Sequence, residues 1–548
     1  MKTLYPLLLA ACLLLGPGGP LRAQDRGGAP LPPPPGAPTQ AARIELDLDP
    51  STSEAHVQAL PADSSVVVLL GRPNRPGGRE TLFTFQQYDR DLRLRTEQAV
   101  EVPDEFSFVR ICAEPRIVYA LFGSTRVPGR FLVAAYDARG GQALTQVFET
   151  KTARDVLDLK AMDGHLFATV TLNDGQHLTA LLLDVATGRL QFLASVYEQL
   201  PTQLSFVADA ATGRAEYVLT QTNGRKSRLQ LKQLTGRGQL VSSEYVQAES
   251  DRSLITAQLS PPQDTSTRLL TGTYSLRDPG YAQGLFATDL SAAAVGQSAL
   301  RFYDFRRLKH FFDYLNPTHL ARLERRNERI DAKAQEPQRW RYRLLLHELL
   351  PQADGGYVLV AEVYAPHYRS SAYTGSRYYN SGYGGYGGYG RSLPGYAGLP
   401  LDLPLGMNSA YGNPRDADGY QTSHVVVCGF DRTGALLWDN TYVLNDVHRR
   451  DLEETVRLQP LPDGRLALAY LRDDQLHYKL VDRDATGPND LAVPLFTPPT
   501  GSPYKILDSE PDELLPWFGT RFVASGYQRV RRPGAPDRDV FFLNAVAF

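Results

Sequence analysis

"HVVVCGFDRTGALLWDNTYV", residues 424–443, joins two β-rich runs through a turn carrying Asp431 and Gly434. Val, Phe, Tyr and Trp fit the pleated, half-buried surface of a sheet, and Asp and Gly supply the tight reversal between runs, so the stretch reads as a strand pair. Clear copies recur at 131–148 ("FLVAAYDARGGQALTQVF") and 178–196 ("LTALLLDVATGRLQFLASV"). Weaker ones occupy 82–100, 228–246, 284–302 and 476–496. Anchored on the residue before each turn, the copies fall at Asp89, Asp137, Asp184, Leu234, Asp289, Asp431 and Asp482, in steps of 48, 47, 50, 55, 142 and 51. A period near 50 with two hairpins per unit matches a four-stranded propeller blade, whereas leucine-rich and ankyrin repeats are shorter and carry helices. The expectation is an all-β protein: a β-propeller of about 7–8 blades over residues 44–548.

The long step is about three units in length. It contains one more strand pair, 341–365 ("RYRLLLHELLPQADGGYVLVAEVYA"), and two insertions. The first, 303–335, is expected to be helical: Leu308, Phe311, Phe312 and Leu315 follow the spacing of one helix face, and Asn316 and Pro317 mark a second helix start. Arg322, Arg325, Arg326 and Arg329 make its outer side basic, interleaved with Glu324 and Glu328, as on a solvated face. The second insertion, 366–420, holds "SGYGGYGGYG" (381–390) and supplies neither helical nor strand periodicity. It is expected to be a disordered Gly/Tyr-rich loop, with self-association through its tyrosines as one use.

The chain begins "MKTLYPLLLAACLLLG": one basic residue, then an apolar run from Leu4 to Leu15. That is the layout of a signal peptide, too short to span a bilayer, with cleavage expected after Ala23. "LAAC", Leu9 to Cys12, offers the alternative of a lipidated Cys12. Residues 24–43, rich in Pro and Gly, read as an extended linker. The chain is therefore expected to be exported, with no transmembrane helix after cleavage. Its net charge of −2, and −4 once Lys2 and Arg22 are removed, gives no field that would favour nucleic acid. Cys112 and Cys428 sit in apolar stretches, and a disulfide between them stays open.

The arrangements that force a reaction class, HExxH, GxSxG, a Walker loop or a GxGxxG helix start, are absent. "DRDATG" (482–487) imitates half a calcium loop, but Val493 stands where the bidentate carboxylate belongs, and "RDADG" (415–419) fails the same template at Pro414. No metal site or cofactor is expected. Glu362, within "YVLVAEVYA", shares a strand face with Val358, Val360 and Tyr364, where a carboxylate needs a partner or water. It reads either as a structural carboxylate or as part of a ligand-binding cluster with His424, Trp438 and Asp439, the Trp offering a stacking face.

"DGYQTSHVVVCGFDRTGALLWDNTYVLNDV" (418–447), "GGYVLVAEVYAPHYR" (355–369) and the closing "VFFLNAVAF" (540–548) resemble a set of exported, propeller-like proteins of Gram-negative bacteria with no established activity. The resemblance covers mainly 300–548. It implies a non-cytoplasmic location and similar architecture, and it carries no catalytic residue. Three functional classes follow. The first is a non-catalytic binding or scaffolding propeller in the periplasm, at the outer membrane or outside the cell, its partner an unidentified cell-envelope protein or glycan. A carbohydrate-active enzyme is the second, using Glu362 and Asp439 as a carboxylate pair about 5–10 Å apart. The third is an outer-membrane β-barrel, suggested by the terminal Phe548 and the alternation Phe542, Asn544, Val546.

Overall fold

The computed structural model describes residues 36–548 apart from 74–80, 176, 200–203, 210–212, 223–225, 249, 262–267, 277, 292–298, 333–338, 369–416 and 497–503. The leader, most of the Pro/Gly-rich linker and nearly all of the Gly/Tyr-rich tract thus lie outside the described residues. From Pro38 to Phe548 the chain forms one compact unit.

Among the described residues, hydrogen bonding divides this unit into eight antiparallel sheets, seven of them built from strands consecutive in the chain. Blade 1 shows the plan, with strands Glu54–Leu60, Ser65–Pro73, Thr81–Tyr88 and Leu94–Val100. Blades 2 to 5 span 106–149, 153–199, 205–246 and 252–304; blades 6 and 7 span 343–449 and 457–494. The first strands of successive blades touch one another around most of the ring, so they line the axis. The protein is an eight-bladed β-propeller. Each ladder stops at its fourth strand instead of continuing into one closed sheet, which rules out the barrel. No described helix is long and apolar enough to cross a membrane.

All seven anchors lie where the third strand of a blade turns into the fourth. The aspartates earn that place through short-range bonds: Asp431 Oδ1 accepts from the amides of Thr433 and Ala435, both at 2.8 Å, and Asp89 Oδ1 from those of Asp91 and Arg93, both at 2.9 Å. Blade 8 has no anchor because its third strand, Arg538–Ala547, ends beside the chain terminus. Its fourth strand is Thr39–Asp47, from the opposite end of the chain. This strand therefore begins inside the expected linker, ahead of Ile44. Arg43 secures this closure. Its guanidinium reaches Glu45 at 3.0 Å, Asn544 at 3.0 Å and Gln528 at 2.6 Å, and lies 4.4 Å from the centre of the Phe496 ring.

Apolar clusters lie between blades, so most strands are covered on both faces. This is why Val66 to Leu70 is a continuous apolar run with every residue buried. The long step holds a single blade. Blade 6 has an inner strand in two pieces, Arg343–Leu346 and Leu350–Pro351, followed by Tyr357–Tyr368, Ala417–Phe430 and Leu436–Arg449. Strand residues reach into the expected 366–420 loop from both ends, because Tyr368 pairs with Ala417 at the tip of the ladder.

Among the described residues of the first insertion one α-helix forms, Pro317–Ala332, and Asn316 Oδ1 accepts from the amide of His319 at 2.9 Å as its cap. The earlier helix expected over 308–315 does not form. A 3₁₀ turn covers Phe305–Arg307, and beyond it the amides of Lys309 and His310 donate to Asp439 at 3.0 and 2.7 Å. The spacing of Leu308, Phe311 and Phe312 serves burial in the core of blades 5 and 6, with Phe311 stacked 4.1 Å from Phe305. Cys112 and Cys428 are both buried free thiols, in blades 2 and 6.

Candidate functional site

Glu362, His424, Trp438 and Asp439 all belong to blade 6, and strand register assigns them to its two faces. Glu362 opposes Val425, and Trp438 opposes Gly429; Val425 and Gly429 share a parity, so both point toward blade 7. His424 opposes Val363, and Asp439 opposes Cys428; these point the other way, toward blade 5 and the insertion. Four residues of strand, about 13 Å, separate the two members on each face.

Each side chain is engaged where it lies. Glu362 Oε1, with 1% of the side chain exposed, accepts from the amides of Thr455 (2.7 Å) and Val456 (2.9 Å) and lies 3.0 Å from His347 Nε2. It thereby holds the chain entering blade 7. Asp439 caps the segment at Lys309 and His310. His424 is stacked 4.2 Å from Tyr314, and burial pulls its pKa down to about 3. Trp438 lies across Gly429, where a Cβ would fall 2.2 Å from the indole nitrogen. The structure does not gather the four around a common cavity, and the Glu362 and Asp439 carboxyls sit on opposite faces of a sheet. The carboxylate-pair geometry is absent.

A cavity of about 430 Å³ does open on the propeller axis. Its wall comes from six blades: Gln58 of blade 1, Arg110–Ala113 of blade 2, Asp158–Ala161 of blade 3, Phe206–Ala208 of blade 4, Pro261 after the inner strand of blade 5, and Glu348 of blade 6. The inner strands are irregular at just these places. Register shifts lie between Phe108 and Arg110 and between Val156 and Asp158, and the inner strand of blade 6 breaks over 347–349. An extra residue in one strand bends it and redirects the neighbouring side chain, which is how inner strands with apolar neighbours present charges to the axis.

Two ion pairs bring together residues of distant blades. Lys160 Nζ of blade 3 meets Glu348 of blade 6 at 2.6 Å, and Arg110 of blade 2 faces Glu453, at the entry to blade 7, at 3.9 Å. The side formed by blades 7 and 8 is acidic. Another register shift, between Pro511 and Glu513, accompanies Asp512 and Glu513 on the inner strand of blade 8. Asp512 opens onto solvent while neighbouring blades displace much of the bulk water around it, and this desolvation raises its pKa, with Glu510 and Glu453 adding repulsion. Burial pushes the Glu513 carboxyl up to about 8, helped by the charges of Asp512 and Glu453 against the pull of Arg457. Burial also works on His347, lowering its pKa, but the carboxylates of Glu454 and Glu362 outweigh that and hold it above its ordinary value.

Sequence reasoning missed every residue of this wall. The usable signal was charge inside the first strand of a repeat: Arg110 in "FSFVRICA", Asp158 and Lys160 in "DVLDLKAM". Among the described residues no group of three or more His, Cys, Asp or Glu side chains is arranged to hold a metal.

No family model and no curated protein matches the sequence. Among solved structures the chain is similar to the polysaccharide lyase Uly1, with 7% identity over 80% of this chain and 89% of the other and a TM-score of 0.37. It is also similar to the β-propeller domain of the Trilobed protease from Pyrococcus furiosus, with 8% identity over 78% and 93% and a TM-score of 0.33. A prolyl endopeptidase matches at 9% identity over 80% of this chain and 50% of its own, with a TM-score of 0.36. Likeness at this level concerns the fold alone.

Proposed function

We propose that this chain is an exported, non-catalytic binding propeller that takes a small polar ligand in its axial channel. The observation that carries this reading is the channel wall itself, a cavity into which irregular inner strands turn Arg110, Asp158, Lys160 and Glu348. Backbone irregularity at an inner strand costs ladder hydrogen bonds, and bulges gather beside sites because they aim side chains. Export rests on the basic and apolar leader at residues 1–23.

The test is calorimetric binding of the purified mature chain to envelope metabolites and glycans, compared with Ala161→Trp, which places an indole in the channel wall. Binding abolished in a folded Ala161→Trp supports the channel; binding indifferent to it removes the reading. The N-terminal mass of the secreted chain tests export, and begins at Gln24 if the leader is cut after Ala23.

A scaffolding role has its own support. The fourth strands of blades 1 to 4 expose Leu94, Leu144, Phe192, Tyr197, Leu240 and Tyr245, an apolar rim with open strand edges. Cross-linking in intact cells, with the Tyr245→Lys variant as control, separates a rim partner from a channel ligand.

A further inference from the structure

We infer that the channel is built for a short zwitterionic ligand, a di- or tripeptide, with its carboxylate on Arg110 and its ammonium on Asp158. The inference rests on the channel-binding reading and names the ligand class for it. Both residues line the same cavity, on the inner strands of adjacent blades 2 and 3, and each directly follows a register shift in its strand.

The charges in this wall divide into spent and unspent. Lys160 and Glu348 satisfy one another across the axis at 2.6 Å. Arg110 has no hydrogen-bond partner among the described residues; Glu453 faces it at 3.9 Å, beyond hydrogen-bonding distance, and Asp451 also feels its charge. Its planar, always charged guanidinium offers five donors in the geometry that grips a carboxylate through two bonds. Asp158 makes no hydrogen bond or ion pair with a described residue; the ammonium of Lys160 lies near enough to feel its charge but bonds Glu348. Arg110 and Asp158 also do not pair with one another. A neutral sugar would bring no opposite charge of its own to either Arg110 or Asp158, and a purely anionic or cationic ligand would bring one to only one of them.

The rest of the wall fits the body of such a molecule. Ile111, Leu159, Phe206 and Val207 supply apolar contact, and Gln58 supplies amide hydrogen-bonding groups. A cavity of about 430 Å³ falls in the lower part of the range of small-ligand sites, roughly 300–1,000 Å³, which suits a few residues of peptide rather than a folded partner.

The experiment is titration calorimetry with Ala-Ala, N-acetyl-Ala-Ala, Ala-Ala-amide and a neutral disaccharide against wild type, Arg110→Gln, Asp158→Asn and Ala161→Trp, each checked for folding by circular dichroism. Ala-Ala is expected to bind, and blocking either terminus to weaken binding on the order of 10- to 100-fold, the range of a charge-assisted hydrogen bond. Arg110→Gln should erase the penalty of amidating the carboxylate while leaving that of acetylation, and Asp158→Asn should do the reverse. Equal binding of blocked and free peptides, or no binding of Ala-Ala, overturns the inference. If the disaccharide binds and Ala161→Trp stops it, the channel reading survives that failure; if Ala161→Trp stops nothing, the channel reading falls too.

Discussion

Replacing Glu362 by Ala is expected to cost the fold and not a ligand. Its Oε1 collects the amides of Thr455 and Val456 and faces His347 Nε2, all within 3.0 Å and all buried between blades 6 and 7. Alanine leaves these donors without an acceptor, at about 1–3 kcal/mol for each buried unsatisfied group. Partial relaxation brings the total to about 3–5 kcal/mol, the range for breaking a buried pair by removing one partner. That is a large part of the roughly 5–15 kcal/mol that holds a typical protein together. Gln keeps the oxygen for the two amides and loses only the charge facing His347, so Glu362→Gln should cost about 1–2 kcal/mol. Urea unfolding followed by tryptophan fluorescence reads both values. An Ala variant as stable as wild type, or a Gln variant as damaged as the Ala one, refutes the account of Glu362 as the acceptor that seats blade 7.

The pH dependence has a defined sign. Glu513, raised to about 8, keeps its proton in the folded protein where the unfolded chain has lost it, so stability should fall as pH rises from about 4.5 to 8. His347, also raised, contributes stability that is complete below about 6.5 and lost as pH climbs through its folded value. Glu513→Gln should flatten the decline and raise the melting temperature at pH 8; an unchanged profile would show that Glu513 is not the titrating group. Removing residues up to Asp47 deletes the fourth strand of blade 8 and the Arg43 contacts, and should leave a chain that opens at that blade, seen as rapid hydrogen exchange in Arg538–Ala547. Protection there equal to wild type would contradict closure by this strand. His424→Phe should keep the stacking on Tyr314, remove a buried ring nitrogen that has no partner, and remove the His424 share of the stability expected to be lost as pH falls from about 6.5 to 3. A Phe variant with the same acid limb sinks that assignment. Because Tyr368 and Ala417 are paired neighbours, joining them by a short turn in place of 369–416 should leave the melting temperature unchanged; loss of folding would place that tract in the core.

What sequence reading could reach was local. The strand pairs, the aspartate that closes each outer turn and the Asn316 cap depend on residues within a few positions of one another, where backbone geometry and short-range hydrogen bonds decide the outcome. A period near 50 was enough for a propeller. It did not reveal that the 142-residue step is one blade, because insertion length is set on the surface and leaves the packing between sheets intact. The apolar spacing at 308–315 was read as helix because burial and helix use the same intervals; here Leu308, Phe311 and Phe312 fill the core of blades 5 and 6 from a chain of turns.

The site belongs wholly to the second category. Alternation showed Glu362 on a face with Val358 and Val360, but the partner of that face, the entry to blade 7, is known only once the sheets are stacked. Arg110, Asp158 and Glu348 lie far apart in sequence and meet because eight sheets radiate from one axis. Their exposure depends on single-residue irregularities in inner strands, which leave no mark on composition or period. Sequence by itself therefore determined the repeated unit and its turns, since those are decided by neighbours along the chain. Only the closed ring decided which charges face the axis, since that is decided by neighbours across it.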